Sequence, residues 1–175
     1  MPNAQATTSR STRSAAARET REAPDAITLL TDDHKEVKKL FRQYDKLAKA
    51  EAQASQRQEV AERICLMLTV HAQIEEELLY PAAREVLPEA DLVDEAAVEH
   101  QSAKDLIAQI RGMTPDEPLY DAKVKVLGEY IDHHVKEEQD ELFPKLRRRI
   151  DIKAIGAALM ERKQALMAEE ADGLH

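Results

Sequence analysis

Two stretches of this chain carry one pattern. The first reads His71-Ala-Gln-Ile-Glu75-Glu-Glu-Leu-Leu-Tyr80-Pro81, and the second reads His134-Val-Lys-Glu-Glu138-Gln-Asp-Glu-Leu-Phe143-Pro144. Each sets a glutamate four residues after a histidine, and each closes on Leu-aromatic-Pro. On an α-helix, residues i and i+4 share a face one turn apart. Each His-Glu pair can therefore reach into one space, provided that its segment is helical.

The flanking sequence predicts that it is. From about 26 to 49, Ile27, Leu30, His34, Val37, Phe41, Tyr44 and Leu47 recur at spacings of three and four, the stripe of an amphipathic helix. Asp25 is the expected N-cap. From about 54 to 80 the stripe is Val60, Ile64, Met67, His71, Ile74 and Leu78, and Pro81 is expected to interrupt it. A third stripe, about 89 to 112, holds Val93, Ala97, His100, Ala103, Ile107 and Ile110. A fourth starts near Pro118 and carries Val124, Leu127, Ile131, His134, Glu138 and Leu142, until Pro144 bends or ends it. Short connections between four such helices predict an all-α, up-down-up-down antiparallel four-helix bundle over 26–149. An extra C-terminal helix within 150–175 is expected to cap one end of the bundle and to fray at its acidic terminus. Residues 1–25, rich in Ser, Thr, Ala and Arg, are expected to be a disordered tail.

Composition agrees and removes several function classes. Glycine is scarce at 4 of 175 residues, and aromatics make up 3%, so the core must be aliphatic. The net charge of −9 disfavours nucleic acid and anionic membranes as partners. No apolar run approaches the roughly 18 residues of a membrane span. One cysteine, Cys65, cannot form an internal disulfide, and it is expected to be buried and inert. The tail lacks the apolar centre of a secretory signal, and Glu19, Glu22 and Asp25 spoil a transit-peptide pattern. Cytoplasm is the default location.

Each of the four stripes thus contains one histidine. At about 1.5 Å of rise per residue, His34 and His71 lie about 12 and 13 Å from one end of the bundle, and His100 and His134 about 15–16 Å. A lone histidine on an apolar face is ordinarily a hydrogen-bonded core residue. Four in one layer, with Glu75 and Glu138, place two carboxylates in an aliphatic core at high cost unless cations accompany them. Mixed nitrogen and oxygen donors suit iron, and less specifically manganese or zinc.

The joint pattern His34, His71-x3-Glu75, His100, His134-x3-Glu138 resembles the hemerythrin-like family, or HHE cation-binding domain. Asp33-His34 with Leu40-Phe41, the run from Glu75 to Pro81, and His133-His134-Val-Lys-Glu-Glu138 with Leu142-Phe143-Pro144 look like that family over about 26–146. The resemblance implies two non-haem iron ions, bridged by an oxo or hydroxo group and by the two glutamates. Their ligands would be His34, His71, Glu75, His100, His134 and Glu138. It implies binding of, or reaction with, O2 or related small oxidants, in oxygen or iron sensing or storage. The alternative is an enzyme that consumes peroxide or nitric oxide at the same centre, with a catalase-like or oxidoreductase activity. A regulatory role, with the tail or last helix binding a protein partner, is a third possibility. Oxygen carriers of the family have a fifth histidine one turn before the third-helix histidine. That position is Ala96 here, and the expected result is an open position that favours reaction over reversible binding.

Other residues are weighed against that layer. His133 is turned ~100° from His134 and is expected to be exposed or behind the ligands. Tyr130 is expected to pack in the core, with an approach to the metals as the alternative. Tyr44 and Tyr80 lie about 13–15 Å along their helices from the nearest ligand histidine, too far to ligate directly. Asp33 and Glu99 adjoin ligand histidines and are expected to be solvated. Arg147-Arg148-Arg149 is expected to complement a helix C-terminus, and His175 to belong to the frayed end.

Overall fold

The computed structural model describes residues 22–173, and among these there are helices and no strands. The expected tail, apart from residues 22–25, and His175 lie outside the described residues. The elements are α1 (Ala26–Lys49), α2 (Ala54–Ile74), a π-helical segment π1 (Glu75–Leu79) and α3 (Tyr80–Val86). They continue with α4 (Asp91–Arg111), α5 (Tyr120–Glu137), a second π-helical segment π2 (Glu138–Leu142), α6 (Phe143–Arg147) and α7 (Ile152–Gly173). The helix α1 packs beside α2 and α5, and α4 packs beside the same two, which closes a four-membered bundle. Asp25 caps α1 as expected, accepting a hydrogen bond from the Thr28 amide at 2.9 Å. Past the end of α6, Arg149 donates to the Lys145 carbonyl, satisfying one of the terminal acceptors that a helix leaves free.

The prolines do not act as the sequence suggested. The helix does not stop at Pro81 but runs on to Val86, and Pro144 likewise lies inside a helix that runs to Arg147. The reason is the π segment before each. The Tyr80 amide bonds to the Glu75 carbonyl, and the Phe143 amide to the Glu138 carbonyl, so each closes a turn over five residues instead of four. A widened turn shifts the carbonyl that a proline ring would strike and absorbs its missing N–H. Each π segment begins on the glutamate of a His-x3-Glu pair.

The apolar core falls into two clusters with a polar layer between them. Leu30, Ile74, Leu79, Val93, Ala96, Phe143 and Leu146 belong to one cluster. Val37, Leu40, Ile64, Leu68, Ile107, Leu127 and Ile131 belong to the other. On α1 the boundary is at His34, on α4 at His100, and on α5 at His134 and just beyond. Fully burying a leucine is worth about 1.5–3 kcal/mol, so the two aliphatic clusters are what hold the polar layer shut.

The last helix lies along the flank of α1 and α2, and does not cap the bundle end as expected from the sequence. Its contacts pass from Pro24 and Ala26, beside Gly156, to Asp33, beside Lys163. Leu159 and Leu166 are buried in the first apolar cluster. The approach at Gly156 leaves no room for a side chain. An added Cβ would overlap the Pro24 carbonyl and sit 2.6 Å from the Ala26 amide nitrogen. Alanine in place of glycine normally stabilises a helix by roughly 1 kcal/mol. Here Gly156→Ala is expected to act oppositely and cost about 1–3 kcal/mol through overpacking, read as a lower urea midpoint.

Candidate metal centre

The layer brings the six sequence-predicted residues together, all of them buried. The Nε2 atoms of His34 and His71 face each other at 3.1 Å, and those of His100 and His134 do so at 3.1 Å. The carboxylates span these two pairs. Glu75 places Oε1 3.1 Å from His71 Nε2 and Oε2 3.2 Å from His100 Nε2. Glu138 places Oε2 3.3 Å from His34 Nε2 and Oε1 3.5 Å from His134 Nε2. Two donor groups result, within each of which the ligand atoms lie no more than 4.8 Å apart: His34, His71, Glu75 and Glu138 in one, and Glu75, His100 and His134 in the other.

Each imidazole is held from behind through Nδ1. His71 Nδ1 meets Asp33 at 3.1 Å, His100 Nδ1 meets Glu76 at 3.0 Å, and His134 Nδ1 meets Glu99 at 2.6 Å. His34 Nδ1 meets the side-chain carbonyl oxygen of Gln139 at 2.9 Å. Such partners fix ring orientation and keep the other nitrogen free as a donor to metal. Asp33 and Glu99 are thus not solvated as expected. A residue adjacent to a ligand is rotated by about 100°, which in a bundle aims it at the neighbouring helix. Asp33 precedes His34 but serves His71, and Glu99 precedes His100 but serves His134. Glu76 and Gln139 follow Glu75 and Glu138 and serve the histidines of the opposite hairpin. The signal was in the sequence: an acid before each lone histidine, and Glu or Gln after each paired glutamate.

Tyr80 is not remote from the layer, contrary to the distance expected along its helix. Its hydroxyl lies in the layer, donating its one proton to Glu138 at 2.9 Å, with Glu75 and His100 Nε2 each 3.2 Å away. Counting rise from His71 along one helix concealed this, because Glu75 lies between and His100 comes from α4. The five-residue turn of π1 stacks Tyr80 over Glu75, and helical side chains lean back toward the N-terminus. In the other repeat the same place holds Phe143, whose ring is parallel to that of His34 with centroids 6.0 Å apart. The space next to His100 is therefore not simply open on account of Ala96, which is buried in the apolar cluster. The room lies on the opposite side of the layer, in a cavity of about 30 Å³ walled by Val37, Leu68, Ile107 and Ile131 with the four histidines.

Tyr130 is 48% exposed and stays out of both the core and the layer. His133 is exposed and pairs with Glu137 at 3.1 Å, as expected for a residue turned from the site. Tyr44 is remote, donating to Asp121 near the far end of the bundle. Cys65 is buried, and burial pushes its thiol up to about 11.

The layer's electrostatics suit a cation. Burial alone would lower the His71 pKa, but the charges of Glu75 and Asp33 outweigh it and hold it at about 10. His134 is likewise held at about 9, chiefly by Glu138 and Glu99 against burial. Burial opposes ionisation of Glu75, yet His71 and His100 keep its carboxyl well below the usual range. The Tyr80 hydroxyl is pushed well above its usual value by burial and by Glu75 and Glu138. Even so, Glu75 Oε1 and Glu138 Oε2 are buried without a hydrogen-bond partner. With Nδ1 occupied, two facing Nε2 atoms at 3.1 Å bring lone pairs together unless a proton or a metal ion lies between them. Orphaned carboxylate oxygens and inward-facing imidazole nitrogens are the donor set of a metal site.

Fold and site together define a helical-bundle metal-binding protein with histidine and carboxylate donors. The chain belongs to the Hemerythrin HHE cation binding domain family, which matches residues 25–146. Its fold is shared by a hemerythrin HHE cation binding domain-containing protein of Mycobacterium kansasii, with a TM-score of 0.72 at 20% identity over 86% of this chain and 92% of that one. It is also 36% identical over 80 residues to a DNA nickase of Nostoc sp. (strain PCC 7120 / SAG 25.82 / UTEX 2576). That match covers 46% of this chain and 22% of the nickase. Among the described residues no helix is long and apolar enough to cross a membrane.

Two pH effects follow. In the metal-free chain, His71 and His134 have folded pKa values of about 10 and about 9, above the ordinary 6.5. Their contribution is complete below 6.5 and is lost as pH rises through 9 and 10, because the folded state binds the extra protons. The urea midpoint of the metal-free chain is expected to fall between pH 7 and pH 10. Metal ions must displace the same protons, so uptake at pH 7 is expected to release acid into a weakly buffered solution.

Proposed function

We propose that the centre holds two non-haem iron ions and that the protein binds or reacts with O2 or related small oxidants, in oxygen or iron sensing or storage. The observation that carries this reading is the span of Glu75 and Glu138, each with one oxygen toward the His34/His71 pair and one toward the His100/His134 pair. Carboxylates so placed are how helical bundles hold paired metal ions. Bound iron would supply one-electron redox chemistry and open coordination positions. The chain's own residues do the rest. Asp33, Glu76, Glu99 and Gln139 hold the imidazoles in place, and the aliphatic walls exclude bulk water. The cavity of about 30 Å³ against the four histidines has room for a diatomic molecule or a water. A cytoplasmic setting belongs to the same reading.

The Tyr80 hydroxyl favours a second reading, a peroxide- or nitric-oxide-consuming enzyme. It is a buried proton donor within hydrogen-bond distance of both spanning carboxylates, placed to give or hold a proton beside a reacting small molecule. It replaces Ala96 as the reason to consider turnover.

Mixing the anaerobically iron-loaded protein with O2 in a stopped-flow instrument tests the first reading. A saturable absorbance change, absent in His71→Ala, is expected, and no change in the wild type would contradict it. Peroxide added to the same protein tests the second. Steady gas evolution that falls by about 10²-fold in Tyr80→Phe would favour the enzyme, and silence would remove peroxide as its substrate.

A further inference from the structure

The family match ends at residue 146, and α7 begins at Ile152. We infer that Lys163 of α7 is a positioning residue of the metal centre, with Arg162 anchoring the same turn to Glu77 of π1. Through Asp33, Lys163 sets how firmly the His34/His71 position holds its metal. The inference rests on the six residues of the layer being ligands.

The path is short. Lys163 Nζ pairs with Asp33 Oδ1, and the other oxygen of that carboxylate, Oδ2, accepts from His71 Nδ1 at 3.1 Å. Asp33 is buried, so its negative charge lacks water and depends on these two partners. Next to Lys163, Arg162 grips Glu77 through Nε at 2.7 Å and Nη2 at 3.2 Å. Glu77 lies in π1, two residues after Glu75, and also accepts from Gln73 at 2.8 Å. One turn of α7 therefore holds both the partner of His71 and the segment that aims Glu75.

The position of that turn is determined. Gly156, two turns earlier, lets α7 seat on the start of α1, and Leu159 and Leu166 bury themselves on either side of Lys163. The other imidazoles are served from within the four-helix bundle. Glu76, behind His100, is paired with Lys104 of α4, and Glu99, behind His134, faces His133 of α5. Gln139, behind His34, is neutral. Among the described residues, Lys163 is the cation that reaches an imidazole partner from outside the bundle. Partly exposed ion pairs add little to stability, whereas losing a partner behind a metal-bound histidine typically costs 10–100-fold in metal affinity. The two contributions can be separated by experiment.

The experiment loads the full chain anaerobically with cobalt(II), whose visible bands report coordination geometry, and follows its removal by excess EDTA. Lys163→Met removes the charge and keeps the stem. Lys163→Arg keeps the charge. Lys153→Met removes a charge from an exposed position on the same helix. Lys163→Met is expected to release one of its two cobalt ions a few-fold faster than wild type, less than the roughly 10–100-fold that loss of Asp33 itself would cost, with altered bands. Lys163→Arg is expected to restore both the rate and the bands, and Lys153→Met to leave them unchanged. Lys163→Gln serves as a second charge-removing variant should the methionine disturb folding. Wild-type bands and wild-type release in Lys163→Met and Lys163→Gln would overturn the inference, whatever happens to their melting temperatures. A wild-type chain that takes up no cobalt would overturn the reading of the layer, and the inference with it.

Discussion

The rest of the structure depends on one electrostatic requirement. Two carboxylates sit in a core that is otherwise aliphatic, with the inner nitrogens of four imidazoles turned toward them. In the metal-free chain protons meet part of that demand, which is why His71 and His134 are held so basic. Glu75 Oε1 and Glu138 Oε2, though 3.1 and 3.3 Å from imidazole nitrogens, still lack a well-aligned hydrogen bond. Metal ions would meet both needs at once, and the surrounding residues make sense as supports for them: partners behind each ring, apolar clusters above and below, and a small cavity alongside.

The duplicated motif supplies the geometry. Each His-x3-Glu pair is followed by a π segment that starts on the glutamate and ends just before an aromatic residue and a proline. The proline tolerates the widened turn, and the widened turn swings the aromatic back over the glutamate. In one repeat that aromatic is Tyr80, which brings a hydroxyl into the layer. In the other it is Phe143, which brings only a ring face to His34. The two halves therefore share a backbone plan and differ in chemistry. The His100/His134 side has the hydroxyl and two carboxylate partners, and the His34/His71 side has one carboxylate and one amide.

Much of this could be read from the chain alone. Spacings of three and four place four stripes, and simple rise arithmetic puts the histidines in one layer, since both depend on helix geometry within single elements. Asp25 was legible as a cap for the same reason. What remained hidden depends on how neighbouring helices are rotated. Asp33 and Glu99 look like surface acids until the helix opposite is in place. Tyr80 is distant from His71 along a uniform α-helix, and the π segments depart from that helix at the motif itself. The flank position of α7 follows from a backbone contact at Gly156, which no periodicity announces.

The layer is proposed to be a two-metal centre. Its most direct test is metal content by mass spectrometry of protein purified from iron-replete cells under anaerobic conditions. About two iron atoms per chain are expected, with replacement of Glu75 by alanine sharply lowering that count because its carboxylate faces both histidine pairs. A well-folded wild-type chain that carries no iron after such handling would contradict it.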